Sequence, residues 1–357
     1  MRDSIDGVDV HRRSFTAVGT DAPNGAVPKS LIMWQRGGQK SSCSAMFMLL
    51  LCCVLPGDVV STPLAHTSAE SIEHIVVDAL ANANGDSARF RVYVINLVRR
   101  EDRREIMRAL LDNQGLLNVT TFVDAVDGFE LSLAQMQREG LHPMPGWPLE
   151  TKSLVQIADS VNARCGLEAA RDLYGHAATY WTRGVAPAEV GCMLSHVAIW
   201  ERVCARGGVD TALIFEDDVE LAPNFEKRLR QYLRALPAGW ELFHLKDDPL
   251  IPGFYYDERA QRGGLIGQPE YERNTWAYLV TVQAACKLAR AFDPQNIIAA
   301  DDFLAAMVAP HPRPDVRALY PPSISGYKCR IDCGVSMRDP SGTDSDIDGK
   351  DSAMLWR

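Results

Sequence analysis

The sequence of 357 residues predicts an α/β protein in three layers, with helices on both faces of a mainly parallel central sheet. Apolar runs without polar alternation, such as residues 211–215, are typical of strands that are buried on both faces. These runs alternate with segments of helical period, which is the order of parallel α/β units. Residues 211–215 also lead directly into Glu216, Asp217 and Asp218, and such sheets bind ligands at the carboxyl ends of their strands.

The first part of the domain is predicted to begin near Phe90. Apolar and helical periods indicate two strands separated by a charged helix: strand 92–97, helix 99–111 and strand 119–126. The periodicity then weakens over a stretch that contains several prolines and only short helical pieces. We interpret this stretch, residues 129–184, as an insertion.

The second part of the domain begins with a strongly periodic helix that Pro187 opens and Gly207 ends, since proline suits a first helical turn and glycine a helix end. A strand, a helix and a further strand are predicted to follow: 211–215, 224–236 and 240–245. Alternating elements of this kind support the three-layer α/β prediction.

The N-terminal region carries an apolar run at residues 45–55, which is shorter than the ~20 residues that span a bilayer. It fits the apolar core of a secretory signal or a short anchor, and a buried helix is the alternative. The predicted boundaries are 1–65 for a signal or membrane anchor, 66–88 for a linker, 89–349 for the folded domain and 350–357 for a tail.

Composition and cysteine content narrow the class of protein. The formal net charge of −9 argues against nucleic acid as a partner, because phosphate binding favours a basic face. Six cysteines follow the signal-like region, and an even number in a secreted chain predicts disulfides whose connectivity the sequence leaves open. A glycosylation sequon at Asn118 is consistent with the secretory pathway, either in the ER or Golgi lumen or as a secreted protein.

The acidic run after the strand at 211–215 predicts a metal site. Side chains two residues apart point to the same side of an extended segment, so Glu216 and Asp218 can share one divalent cation while Asp217 points elsewhere. A solvated acidic turn is the alternative interpretation, since acids are mostly exposed.

Two other kinds of site have weaker support. The sequence contains neither a Walker loop nor a dinucleotide-binding glycine motif, so bound nucleotide would depend on a metal. Ser195 and His196 are neighbours on a predicted helix and point about 100° apart, which makes them a poor catalytic dyad. A packed helix histidine is the simpler interpretation of His196. A serine hydrolase is disfavoured because the chain lacks a nucleophile elbow.

The ordered set of motifs resembles glycosyltransferase family 25, which includes bacterial lipooligosaccharide and animal procollagen galactosyltransferases. The matching segments are VYVINLVRREDRRE (92–105), FVDAVDG (122–128), APAEVGCMLSHVAIWERV (186–203), ALIFEDDVEL (212–221), WAYLVTVQAACKLA (276–289), DDFL (301–304) and SDI (345–347). The resemblance implies a GT-A fold, a UDP-hexose donor, dependence on Mn²⁺ or Mg²⁺, and inversion at the anomeric carbon. It implies transfer of galactose or glucose to a hydroxyl of a glycan, lipooligosaccharide or glycoprotein.

The metal ligands expected in such an enzyme are Glu216 and Asp218, because carboxylates bind the hard cation that neutralises a diphosphate leaving group. Inversion needs one base to accept the proton of the acceptor hydroxyl, and the candidates are Asp302, Asp248 and Asp346. The alternative for Asp302 is a carboxylate that serves the helix dipole.

The predicted donor-binding residues lie on the elements around this strand end. They are Asn96, Arg99, Arg103, Asp127, Ser195, His196 and Asp217. Guanidinium groups suit phosphate, although a solvated helix face also explains the arginines, and a plain turn explains Asp127. The competing function is a non-catalytic secreted binding or adhesion protein that retains the glycosyltransferase fold.

Overall fold

The computed structural model describes the greater part of the chain after residue 88. The described residues are 89–146, 149, 151–165, 175, 178–205, 210–246, 264–269, 272, 274–330 and 332–338. The predicted signal or anchor at 1–65, the linker at 66–88 and the tail at 350–357 lie outside these ranges. So do the candidate bases Asp248 and Asp346, whose role stays a prediction.

The strands are short and mostly buried. They are β1 (Phe90–Asn96), β2 (Thr120–Asp124), β3 (Thr211–Glu216), β4 (Val219–Leu221), β5 (Leu242–His244), β6 (Ile266–Gly267), β7 (Ala277–Thr281), β8 (Gly326–Cys329) and β9 (Val335–Met337). β3 ends at Glu216, and Asp217 and Asp218 form a turn. The two-residue alternation assumed from the sequence therefore does not extend to Asp218.

The helices are α1 (Glu101–Asn113), α2 (Leu133–Arg138), α3 (Thr151–Cys165), α4 (Pro187–Ala205), α5 (Phe225–Ala235), α6 (Val282–Ala291), α7 (Ala300–Val308) and α8 (Pro314–Leu319). Three of the helices, α1, α4 and α5, begin and end within about two residues of the positions predicted from periodicity, and the sequence predicted no bounds for the others. α2 and α3 lie in the stretch interpreted as an insertion, and α2 contributes the buried Met136 to the core. In the part of the chain that the structure describes, no helix is long and apolar enough to cross a membrane.

Seven strands form the central sheet in the order β2-β1-β3-β7-β5-β8-β6. β1 is parallel to both β2 and β3, and β5 is parallel to β8, while β7 lies antiparallel between β3 and β5. Five of the strands therefore point in one direction, and only β7 and β6 run against them. The predicted three-layer, mainly parallel architecture is confirmed, and the carboxyl ends of β1, β2, β3 and β5 share one edge.

Two hydrophobic cores cover the two faces of this sheet. In β1, Tyr93 and Ile95 face the core that contains α4, α6 and α7, while Val92 and Val94 face the core that contains α1 and α5. This alternation follows from the period of a strand, and apolar residues on both faces explain the lack of polar alternation in the sequence.

Helix α4 lies unusually close to the loop after β2. A Cβ atom added to Gly128 would lie 2.0 Å from the Pro187 carbonyl oxygen, and one added to Gly191 would lie 2.4 Å from that of Val126. Only glycine permits this approach of two backbones. The glycines of the FVDAVDG and GCMLSH segments thus place the first half of α4 against the carboxyl end of β2.

The domain contains disulfides, as the cysteine count predicted. Cys204 at the end of α4 is bonded to Cys286 in α6, and Cys329 is paired with Cys333. Among the cysteine side chains that the structure describes, Cys192 is the free thiol.

Candidate active site

The acidic turn after β3 lies in a cleft at the carboxyl edge of the sheet. The cleft encloses about 600 Å³, counting its open mouth. Residues from three predicted segments line it: Arg99 and Arg103 after β1, Asp127 after β2, and Ser195 of α4, together with Glu216, Asp217 and Asp218. The topology therefore brings these seven predicted site residues together from segments that are far apart in the chain.

Asp217 is the buried member of the turn and is fully engaged by neighbouring side chains. Its Oδ2 accepts a hydrogen bond of 2.7 Å from the Asn96 side chain, and its Oδ1 accepts one of 2.8 Å from Arg103. Burial raises the pKa of Asp217, and the hydrogen bonds from Arg103 and Asn96 oppose that shift. Asn96 also donates to the Arg100 carbonyl at the start of α1. This network fixes the turn against β1 and α1.

Glu216 is held from the opposite side by His196 and Thr275. The hydrogen bonds to Glu216 converge on Oε1, from Thr275 Oγ1 and, at 3.3 Å, from His196 Nε2. Burial disfavours the charged form of Glu216, but the hydrogen bond from His196, the bond from Thr275 and the charge of Lys246 outweigh it and lower its pKa. Glu216 is therefore an ionised carboxylate with a fixed orientation.

The ring of His196 is fixed by a chain of buried hydrogen bonds. Trp200 Nε1 donates to the Tyr278 hydroxyl, which lies 2.9 Å from His196 Nδ1. Indole only donates, so Trp200 occupies a lone pair of the Tyr278 oxygen and leaves the Tyr278 proton for His196 Nδ1. In that tautomer the imidazole proton is on Nε2 and points to Glu216. His196 is thus both the packed histidine expected from its helix and a direct partner of the acidic turn.

Asp218 differs from its neighbours because one oxygen has no partner. Among the described residues, no hydrogen bond reaches its buried Oδ1 atom, and Oδ2 lies 3.8 Å from Arg103. Burial and the charge of Glu216 raise the pKa of Asp218 to about 7. A buried carboxylate oxygen without a donor is a suitable ligand for a cation.

The charge balance of the cleft also fits a divalent cation. Asp127, Glu216, Asp217 and Asp218 line it with four carboxylates, against the two guanidinium groups of Arg99 and Arg103. With all of these groups ionised, the lining carries two more negative than positive charges, and the charge of Lys246 near Glu216 offsets one of them. Each arginine is paired with an acid, since Arg99 contacts Asp127 and Arg103 contacts Asp217. A hard dication held by Glu216 and Asp218 would satisfy this excess.

Ser195 links α4 to the loop after β2. Its hydroxyl donates to the Gly191 carbonyl at 2.7 Å and accepts from the Val126 amide at 2.9 Å. Its neighbour His196 bonds to Tyr278 and Glu216 instead. The two side chains therefore have separate partners, which agrees with the geometric argument against a Ser195–His196 dyad.

Asp302 lies in a second cavity that shares no lining residue with the acidic cleft. The first turn of α4 runs between them, since Ala188 lines the cleft and Glu189 lines the second cavity. Asp302 Oδ1 lies 3.7 Å from His311 Nε2. The Nδ1 atom of His311 accepts from the Arg313 amide, so its proton faces Asp302.

The neighbouring Asp301 is the residue that connects α7 to the acidic turn, a link that sequence reasoning missed. Its carboxylate accepts from Tyr180 Oη at 2.8 Å, from the Asn274 amide at 3.1 Å and from the Asp302 amide at 2.9 Å. Burial and the charge of Asp302 raise its pKa to about 6. Asn274 has a left-handed φ of 66°, and the next residue, Thr275, binds Glu216.

The signal for this link is faint in the sequence. Asparagine tolerates a left-handed conformation better than other non-glycine residues, so Asn274 immediately before an apolar strand indicates a sharp turn at the strand end. Nothing local to residues 301–302 indicates which of the two carboxylates faces that turn.

Comparison with known proteins supports the family assignment. Residues 90–249 match the family model described as glycosyltransferase family 25 (LPS biosynthesis protein). The chain is 32% identical over 236 residues to the human "Inactive glycosyltransferase 25 family member 3", which covers 65% of this chain and 34% of that protein. The bovine "Probable inactive glycosyltransferase 25 family member 3" is 30% identical over 245 residues, 67% of this chain and 35% of that protein.

A relative named as a galactosyltransferase is matched over a similar length. "Procollagen galactosyltransferase 1" of Danio rerio is 25% identical over 233 residues, which is 64% of this chain and 33% of that protein. The chain thus spans about a third of the length of the curated relatives it matches. The motifs, the sheet topology and the family match agree. The chain therefore belongs to glycosyltransferase family 25, and the matching domain begins at residue 90.

Proposed function

We propose that this chain is a metal-dependent, inverting hexosyltransferase that moves galactose or glucose from a UDP-sugar to a hydroxyl of a glycan or glycoprotein. The observation that carries the proposal is the intact acidic turn, in which Asp218 keeps an unpartnered buried oxygen beside the ionised Glu216. The family match supports the reaction class, and the cleft at the sheet edge supports the site.

In this proposal Glu216 and Asp218 hold Mn²⁺ or Mg²⁺, and Asp217 keeps the turn in place through Asn96 and Arg103. When bound, such a cation acts as a Lewis acid on the diphosphate of the donor. Arg99 is paired with Asp127 at the cleft wall, and we propose that its guanidinium contacts a phosphate of the donor. Ser195 and His196 act by positioning the cleft wall and Glu216.

The base of the proposed reaction remains Asp302, with Asp248 and Asp346 as the alternatives. Inversion requires this carboxylate to accept the acceptor proton as the new glycosidic bond forms and the bond to UDP breaks. Asp302 lines a cavity next to the cleft, so the proposal requires the acceptor hydroxyl to approach from that cavity.

A non-catalytic protein that retains the fold is the second candidate, and one observation favours it. Two of the more similar relatives are named inactive or probably inactive members of the family. The carboxylates Glu216 and Asp218 speak against this candidate, because a chain released from catalysis has no need of an unpartnered buried carboxylate oxygen.

One experiment separates the two candidates. The purified chain is incubated with UDP-galactose and UDP-glucose, with and without manganese, and release of UDP is measured in the presence and absence of simple glycan acceptors. We expect manganese-dependent release from one of the two donors. Absence of release from both donors, together with retained donor binding, would support the non-catalytic candidate.

Location in the secretory pathway is part of the proposal. The apolar run at 45–55 and the sequon at Asn118 support it, and the disulfide between Cys204 and Cys286 is of a kind that persists in oxidising compartments. The proposal predicts glycan on Asn118 and protected Cys204 and Cys286 thiols in material isolated from a eukaryotic host. Free thiols at both positions would contradict it.

A further inference from the structure

The wall of the acidic cleft carries a second cluster of metal-ligating side chains. One ligand atom from each of Cys192, His196 and Glu216 lies within 4.8 Å of the other two. These are a thiol, an imidazole and a carboxylate, the three side-chain types that bind zinc in proteins. The acidic turn uses only Glu216 of these, which leaves Cys192 without a role in the proposed transfer reaction.

The cluster has the backbone arrangement of a built metal site. Cys192 and His196 are four residues apart on α4 and so lie on the same face of the helix, which is the spacing of helix-borne zinc ligands. The third residue, Glu216, lies at the end of β3. Helix α4 is held in place by the close backbone approach at Gly191 and by the Cys204–Cys286 disulfide.

The separations are close to those of tetrahedral coordination. Zinc bound to sulfur, nitrogen and oxygen holds its ligand atoms about 3.3–3.6 Å apart. His196 Nε2 and Glu216 Oε1 are already 3.3 Å apart. The Cys192 thiol therefore has to move by no more than about 1.5 Å to complete the set.

The surroundings of His196 suit a ligand as well. A metal-bound imidazole usually donates a hydrogen bond through its other nitrogen. The Tyr278 hydroxyl lies 2.9 Å from His196 Nδ1, and its oxygen can accept that bond once the ring takes the tautomer with the proton on Nδ1. Cys192 and Glu216 line the cleft, so a cation can reach them from solvent while His196 remains buried behind them.

We propose that Cys192, His196 and Glu216 form a site for a thiophilic divalent cation of the zinc class, which shares Glu216 with the manganese site but is otherwise distinct from it. On binding, the thiol loses its proton to solvent and a metal–sulfur bond forms. The imidazole takes its other tautomer: the Nε2 proton leaves to solvent, Nδ1 takes up a proton and donates it in a hydrogen bond to the Tyr278 oxygen, and the Tyr278 hydroxyl hydrogen rotates away from His196. The Nε2 lone pair then binds the metal. Because Glu216 is shared, the two cations bind with negative coupling.

Cobalt serves as the probe because a thiolate bound to Co²⁺ gives a near-ultraviolet charge-transfer band, which a carboxylate site does not. Titration of the purified full chain with Co²⁺ should produce this band, and Zn²⁺ should abolish it by displacement. Asp218→Asn removes a manganese ligand only and should keep the band. Cys192→Ser should lose the band and weaken Zn²⁺ binding by more than the ~10- to 100-fold typical of an outer-shell partner.

Cys165→Ser is the matched control for a thiol change and should keep the band, and Cys192→Ala replaces Cys192→Ser if the serine variant does not fold. A wild-type chain without the band would overturn the proposal, and so would a band that persists in Cys192→Ser or disappears in Asp218→Asn. These readouts do not depend on turnover. If the chain fails to transfer sugar but shows the thiolate band, the proposed transferase function is contradicted and the Cys192–His196–Glu216 site is not.

Discussion

Two runs of consecutive acidic residues are arranged in a similar way. They are Glu216–Asp218 at the end of β3 and Asp301–Asp302 at the start of α7. In each run one carboxylate is consumed by hydrogen bonds that hold the backbone: Asp217 by Asn96 and Arg103, and Asp301 by Tyr180, Asn274 and its own neighbour. The neighbouring acid, Asp218 or Asp302, is then left facing a cavity.

The two runs differ in what compensates the acid that faces the cavity. Asp302 has His311 at 3.7 Å, whereas Oδ1 of Asp218 receives no hydrogen bond from the described residues. Asp217 is bound by a buried guanidinium, while Asp301 accepts hydrogen bonds from a hydroxyl and two backbone amides. The comparison suggests a cation ligand in the first run and a proton acceptor in the second.

The largest effect is expected for Asp218→Asn. The change keeps the shape of the side chain but removes an ionic ligand, and an amide binds a hard dication far less well than a carboxylate. Turnover of the UDP-hexose should fall at least about 10³-fold, since a metal Lewis acid supplies several kcal/mol. The measurement is manganese-dependent UDP release together with manganese affinity by calorimetry. Wild-type values in the variant would refute the metal assignment.

The next largest effect is a difference in the free energy of unfolding between variants of Asp217 and Asp301. Asp217→Asn leaves Arg103, which is buried, without its main ionised partner and should cost roughly 3–4 kcal/mol of unfolding free energy. Asp301→Asn should cost less, about 1–3 kcal/mol, because Asp301 accepts from the neutral Tyr180 hydroxyl and Asn274 amide. Denaturant unfolding monitored by circular dichroism measures both. Equal losses would show that the two runs are built alike.

Asp302→Asn tests whether the second run supplies the base. Turnover should fall by about 10²-fold while the affinities for UDP and manganese stay near wild type, since general-base catalysis contributes at least that factor. Calorimetry with UDP and steady-state kinetics provide the two measurements. Loss of donor binding would make Asp302 a donor ligand, and unchanged turnover would move the role to Asp248 or Asp346.

The last prediction concerns the dependence of the free energy of unfolding on pH. Burial raises the pKa of Asp218 from 3.8 to about 7, so the metal-free native chain retains a proton that the unfolded chain releases. The wild type should therefore lose this contribution to stability as the pH rises from about 4 to 7, and Asp218→Asn should lose roughly 3 kcal/mol less over that window. Denaturant unfolding at several pH values tests this, with the exposed Glu220→Gln as the matched control. Parallel curves for wild type and Asp218→Asn would contradict the shift.

The sequence predicted the elements around the site well because their signals are local. The strand that ends in the acidic turn and the helix that Pro187 opens were located within a few residues, since apolar period and helix-start signals depend on neighbouring positions. The same reasoning correctly separated Ser195 from His196, because side-chain direction on a helix follows from the residue number.

Roles within the site were harder to predict because they depend on contacts between distant segments. Asp217 meets Asn96 and Arg103, which are 121 and 114 residues away in sequence, and His196 meets Tyr278 at a separation of 82. Asn96 and Arg103 were expected to contact donor directly, and the structure shows them bonded to Asp217, so a direct donor contact stays a prediction. The direction of Asp301 toward Asn274 had no local signal.

By itself the sequence determined the order of the elements from β1 to β5 that surround the site, and the acidic run at the end of β3, because periodicity acts over a few residues. Only the tertiary structure decided which carboxylate of each acidic run is neutralised, that Cys192, His196 and Glu216 converge, and that Asp302 faces a separate cavity. The physical reason is that burial and charge pairing are set by neighbours in space, which for these residues come from strands and helices far apart in the chain.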